Sequence, residues 1–182
     1  MPSLPGSGAV RPLAQVVLDS NVWIDILVFD DDATRPIHAA LSAGLLRAVI
    51  DARCLAELSC VLDYPQFTRR AVDKPAALAR VAQLSVMAAP AAGAPGGTPA
   101  LPKCKDRDDQ KFLELAHAAG VDWLVSKDRA LLKLAKRTAR EFGFRIAQPG
   151  PFVAACLPPP AVPEANAPAP HPLVSTTSPI AP

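Results

Sequence analysis

The sequence predicts an α/β fold: three layers, α/β/α, around a central parallel sheet of four or five strands. Three observations point there. Short β-branched or apolar runs alternate with segments of helical period, the pattern of right-handed crossovers between parallel strands. Half of the 182 residues are hydrophobic and 20% are charged, enough apolar surface for one core and too much for wholesale disorder. Nine of the 21 prolines fall in the last 26 residues, so the helix breakers concentrate beyond the alternating region. The chain therefore divides into a flexible N-terminal segment (1–14), one domain (15–156) and a disordered Pro-rich tail (157–182).

The elements follow in order. Residues 15–19 (QVVLD) are a β-branched run ending in a carboxylate, a buried strand. Ser20 or Asn21 can cap a short helix over 22–29, and a second helix over 34–43 is closed by Gly44. Residues 47–50 form the next strand, and Asp51 is placed to cap a helix over 52–62 with Leu55, Leu58, Val61 and Leu62 on its apolar face. Tyr64-Pro65 ends it. Residues 75–87, rich in Ala and Leu, read as a helix, and 88–104, with four prolines and three glycines, as a long loop. An amphipathic helix over 106–119 stops at Gly120; a strand over 123–126, a helix over 129–142, a strand over 144–146 and a helical turn over 149–156 complete the domain.

Several function classes are excluded. A formal net charge of +2 announces neither nucleic-acid nor membrane binding by itself. The four cysteines form no C-x-x-C pair, which argues against zinc and for free thiols in a reducing cytosol. No run of 18 apolar residues suits a bilayer, and residues 1–12 lack the apolar stretch of a signal peptide, so the expectation is a soluble, cytoplasmic protein. Neither G-x-G-x-x-G nor G-x-x-x-x-G-K-[ST] nor G-x-S-x-G is present, which removes the nucleotide-binding and α/β-hydrolase readings that need them.

In open parallel sheets chemistry collects beyond the carboxyl ends of the strands, where strand order reverses. Asp19 ends the first strand; Asp128 lies just past the strand ending at Ser126; Asp106, Asp108 and Asp109 open a helix at the same edge; Glu57 lies in the helix after the second strand. Each has a structural explanation of its own. Asp19 can make a turn, Asp106–Asp109 and Asp128 can cap helices, and Glu57 can be a solvated position. Their convergence is the signal. Two carboxylates ~5 Å apart at an effective dielectric of about 20 repel by roughly 3 kcal/mol, so such a cluster raises its pKa values or recruits a cation. Oxygen-only ligands suit Mg²⁺ or Mn²⁺, whose bound water and Lewis acidity serve phosphodiester hydrolysis.

VVLDSNVWI, Glu57 within LAELSCVL, DRDDQKFLELA, WLVSKDRALL and the closing FRIAQPGPFVA together resemble PIN-domain ribonucleases over about residues 15–155. More narrowly they are similar to the branch labelled toxin of a toxin–antitoxin pair. The resemblance implies a metal-dependent endoribonuclease with catalytic Asp19, Glu57, Asp109 and Asp128. It places Mg²⁺ (or Mn²⁺) on Asp19, Asp109 and Asp128, with Glu57 ordering the attacking water or a second ion. It assigns supporting roles to Asn21, Asp106 and Ser126, and products ending in a 5′-phosphate and a 3′-hydroxyl. RNA is the implied substrate, a cognate antitoxin the implied protein partner, and a homodimer the implied assembly. Lys127 departs from the small residue common in that turn, and the long loop and the tail have no family counterpart. A housekeeping RNA-processing nuclease and a non-catalytic PIN-like binding module are the alternatives.

Arg129, Lys133, Lys136 and Arg140 fall on one face of the expected 129–142 helix, a solvated basic face or a phosphate-contacting stripe for RNA. Arg69, Arg70, Lys74 and Arg80 make a looser second patch. With aromatics at 5%, extensive base stacking is not expected; Trp23 and Trp123 read as core, and His38 and His117 as surface.

Overall fold

The computed structural model describes residues 13–89 and 100–157. Five strands, β1 (Ala14–Leu18), β2 (Leu46–Ile50), β3 (Ser85–Met87), β4 (Trp123–Val125) and β5 (Arg145–Ala147), form one sheet in the order β3-β2-β1-β4-β5. Every pairing is parallel. The expected α/β class with a parallel sheet is therefore observed, at five strands. Val16, Val17 and Leu18 are all buried although successive residues point to opposite faces, so β1 is covered on both sides, as a central parallel strand must be.

Nine α-helices flank the sheet among the described residues: α1 (Ser20–Ile24), α2 (Arg35–Ser42), α3 (Ala52–Leu62), α4 (Pro65–Thr68), α5 (Lys74–Leu84), α6 (Gln110–Ala118), α7 (Arg129–Leu132), α8 (Ala135–Glu141) and α9 (Pro149–Cys156). α3 packs on α1, α5 and α6, whereas α2 packs on β2 and α9. The largest fully buried side chains are Trp23, Phe112, Phe144 and Phe152. Trp123 is only partly buried, its ring edge against Phe152 at 5.4 Å between centroids. Gly44 and Gly120 adopt φ of +67° and +61° just past α2 and α6, the left-handed conformation that closes a helix without a Cβ penalty.

Several expectations are corrected. Ala14, assigned to the N-terminal segment, opens β1. The helix expected over 75–87 ends at Leu84, and Ser85–Met87 pairs with Ala48–Ile50 instead. Local Ala/Leu richness favours helix, but the free edge of β2 is satisfied only by a strand. The 22–29 helix starts earlier, and Asp19 caps it in place of Ser20 or Asn21. Beyond Ile24 the chain widens into a π-helical turn, Asp25–Phe29, and turns off at Asp30 with φ +46°. The 106–119 helix begins only at Gln110. The single helix expected over 129–142 is two, because Leu134 N–H bonds the Leu131 carbonyl three residues back and tightens the chain between α7 and α8. Arg129, Lys133, Lys136 and Arg140 thus do not share one continuous helix face. Most of the Pro-rich tail and of the 88–104 loop lies outside the described residues. No helix among them is long and apolar enough to cross a membrane.

Candidate active site

Strand order reverses between β1, which leads toward β2 and β3, and β4, which leads to β5. Leu18 pairs with Val125, and Asp19 N–H donates to the Val125 carbonyl at 3.1 Å. The residues following these two strands are therefore neighbours at the switch point, where open α/β sheets bind their ligands.

Asp19 is buried at 3% exposure. Its extended backbone ends β1, and its Oδ1 accepts the Val22 N–H of α1 at 2.9 Å. Burial pushes its carboxyl above the usual range, against the Ser126 hydroxyl and the backbone N–H groups of Val22, Lys127 and Asn21. Ser126, itself fully buried, also accepts the Asp128 N–H at 2.9 Å. One hydroxyl thus joins the acid after β1 to the acid after β4. Asn21 serves Asp19 through its backbone, with its own residue exposed.

Asp128 caps α7, its Oδ1 accepting Ala130 N–H at 2.5 Å and Leu131 N–H at 3.3 Å. The capping role anticipated for it is real and occupies one oxygen. Asp106 stabilises the turn before α6 by accepting Asp108 N–H at 2.9 Å. Asp109 stands at the N-cap position of α6 but makes no capping bond there. The capping explanation for that acid therefore falls. Asp109 is instead pushed up to about 6, first by burial and then by repulsion from Asp128, Asp106, Asp19 and Glu57. Carboxylates from β1, α3, the turn before α6 and the start of α7 share one electrostatic neighbourhood.

Glu57 joins this group from α3, one oxygen accepting the Ser20 hydroxyl at 2.7 Å and the other paired with the Lys111 ammonium. Lys111 also donates to the Asp108 carbonyl and lies 5.3 Å from the Phe112 ring centroid. It is a built-in counter-ion that the sequence reading missed, as was Ser20 as the holder of Glu57. The signal for Lys111 was present: it stands two residues after Asp109, in the first turn of the same helix. Cys104 is buried beside the acids; burial, then repulsion from Asp109, Asp128 and Asp106, raises its thiol pKa. Its N–H donates to Gln110 Oε1 at 2.7 Å, tying the chain that enters α6 to the helix start.

A second ion pair stands at the mouth. Lys127 Nζ pairs with Asp25 Oδ2, a buried oxygen that accepts no other hydrogen bond. Asp25, Lys127, Glu57 and Ser20 line a hollow of about 460 Å³ together with Phe29 and Tyr64.

The donor set suits a hard divalent cation: carboxylates, with no His, and a Cys whose thiol resists ionisation. Among the described residues no three His, Cys, Asp or Glu side chains stand close enough to form a finished ligand cage. The acids are nonetheless electrostatic neighbours, each of Asp128, Asp106, Asp19 and Glu57 acting on Asp109. The raised pKa of Asp109 reflects burial first and the neighbouring carboxylates second.

Residues 15–130 match the PIN domain family, from β1 into α7. The chain belongs to that family. The match spans well over half the chain and includes Asp19, Glu57, Asp106, Asp109 and Asp128. PIN domains are typically nucleases that use divalent metals, and the sheet of this PIN domain delivers its acids to the edge where such chemistry sits. No curated protein matches the chain.

Proposed function

We propose that this PIN domain is an Mg²⁺- or Mn²⁺-dependent endoribonuclease that hydrolyses RNA phosphodiester bonds, acting as the toxin of a toxin–antitoxin pair. The observation that carries the reading is the juxtaposition of Asp19 and Asp128 at the switch point, bridged by Ser126, with Asp109 near enough to feel both charges. A fold stabilised for its own sake does not gather like charges from four elements. Lys111 offsets Glu57 alone and leaves the remaining aspartates without a cation of their own among the described residues. Asp19, Asp109 and Asp128 would hold the ion, which when bound supplies Lewis acidity toward a phosphoryl oxygen and acidifies water. Ser126 bonds the Asp19 carboxylate and the Asp128 backbone N–H, which fixes the two residues relative to each other. Glu57, steadied by Ser20 and Lys111, would orient the water that attacks in line. As the new P–O bond forms and the P–O3′ bond breaks, the attacking water gives up a proton to solvent and the departing 3′-oxygen takes one from it, leaving a 5′-phosphate and a 3′-hydroxyl.

The test is cleavage of single-stranded RNA by the wild type and by Asp19→Asn, with Mg²⁺, Mn²⁺ or EDTA. Metal-dependent cleavage that falls roughly a thousandfold in the variant is expected, since one charge ligand to the ion supplies several kcal/mol of transition-state stabilisation. Equal activity of the two proteins excludes the site. The toxin role predicts growth arrest on expression, relieved by co-expression of a neighbouring reading frame; a housekeeping nuclease gives no such rescue.

A further inference from the structure

One hollow reaches Glu57, and a second lies beyond it, linked to the first through Phe29 and Arg70. The first, of about 460 Å³, runs from Glu57, Asp25 and Lys127 to Tyr64 and Phe29. The second, of about 600 Å³, is lined by Arg70, Arg80, His38, the apolar residues 26–28 of the π-helical turn and Asp73, whose carboxylate caps α5 by accepting the Ala76 N–H. Phe29 joins them: it lines the first, and the Arg70 guanidinium, which lines the second, sits 5.0 Å from its centroid. Phe29 and Tyr64 are 45% and 50% exposed, among the most exposed large hydrophobics of the described residues. Burial does not explain rings left half in water beside a charged site. Phe29 is held there by Phe67 at 6.1 Å and by the left-handed turn at Asp30 that ends the π-helical segment. Arg70 and Arg80 have no carboxylate partner among the described residues; Arg80 bonds Ser42, Gln83 and His38 instead. By contrast, Arg140 is engaged by Glu141, and the helix expected to align it with Arg129, Lys133 and Lys136 is broken.

We propose that single-stranded RNA leaves the acid cluster across Tyr64 and Phe29 and on to Arg70 and Arg80, rather than along α7 and α8. Bases stack on the exposed rings, and Arg70, free of any carboxylate partner among the described residues, takes a phosphate beyond Phe29. This rests on the nuclease reading above and identifies its strand path. Exposed rings next to free cations are the recognition chemistry of an unpaired strand, because every base has a π face and every linkage a charge. The weakly basic overall charge is compatible with it, since the cations are local.

The experiment is fluorescence anisotropy of a short fluorescein-labelled single-stranded oligoribonucleotide of mixed sequence with the full chain in EDTA, which prevents turnover. Tyr64→Ala is expected to weaken binding about tenfold, within the range for one stacked base, and Tyr64→Trp to restore it. Arg70→Gln is expected to lower the slope of log affinity against log salt by about one. A variant with Arg129, Lys133, Lys136 and Arg140 all replaced by Gln is expected to bind nearly as the wild type. Circular dichroism melts of each variant separate misfolding from lost contacts, and the Trp rescue is independent of them. The path is overturned if Tyr64→Ala and Arg70→Gln bind as the wild type, if the fourfold variant alone loses affinity, or if the wild type binds no RNA and the surface serves a protein partner. The cleavage assay above reads the nuclease reading separately. A protein that binds along this path without cutting loses the catalytic assignment and keeps the path, whereas one that cuts with an unchanged KM in Tyr64→Ala loses the path alone.

Discussion

Asp19 shows how one residue is set against the stability of its own fold. Its carboxyl pKa is raised by burial, so the folded state binds its proton more tightly than the unfolded chain does. The contribution is therefore favourable below the unfolded value of 3.8 and is lost as pH rises through the folded one. At neutral pH the charged group costs stability, and Asn caps a helix as well as Asp does. Asp19→Asn is expected to melt higher than the wild type at pH 7, by about 2–4 °C for roughly each kcal/mol released, and to lose that advantage in acid. A lower melting point at pH 7 contradicts this account. Lys111 works in the opposite sense, as a cation already inside the acid cluster. Lys111→Met removes the competitor, and titration calorimetry is expected to show Mn²⁺ binding about fivefold tighter, the equivalent of roughly 1 kcal/mol of Coulomb energy.

Among the elements, α3 depends on its first turn. Burial pushes the Asp51 carboxyl up, but bonds from the Cys54 N–H and from Arg53 outweigh it and hold the group below its usual value. Arg53 continues the link to Glu114 on α6 at 2.6 Å. Asp51 is thus a cap and an anchor between the helices that carry Glu57 and Lys111. Asp51→Ala is expected to cost about 1 kcal/mol, a fall in melting temperature of about 2–4 °C, with cleavage reduced less than by any change at Asp19. The α3 boundaries were legible from sequence because a carboxylate cap and a clean 3.6-residue apolar period are both local signals. β3 was not, because Ser85–Met87 becomes a strand only through the neighbouring edge of β2. The π-helical turn at Asp25–Phe29 likewise has no periodicity that distinguishes it from a helix.

Across the whole molecule, the acids couple stability to pH and to metal. Asp109 titrates at about 6 in the folded protein against 3.8 unfolded. Its folded value is raised, so its contribution is present below about 4 and is lost as pH climbs to about 6. Metal-free protein is expected to melt higher at pH 5 than at pH 7. Mn²⁺ is expected to close that gap by binding the folded state alone at neutral pH, and scanning calorimetry at the two pH values, with EDTA or Mn²⁺, measures it. A metal-free melting point that does not change between pH 5 and pH 7 removes the strained carboxylate from the description.

The chain by itself determined the α/β alternation and the placing of Asp19 and Asp128 at the ends of their strands, while Asp109 was singled out within its cluster by the family resemblance. Apolar period, caps and strand-end carboxylates are properties of neighbouring residues. Only the tertiary structure decided that Asp109 is no cap, that Ser126 ties Asp19 to Asp128, that Lys111 neutralises Glu57 and that Lys127 is held by Asp25. Charge interaction and hydrogen bonding fall off with distance in space, and Glu57 and Lys111 meet across a sequence separation that no local pattern records.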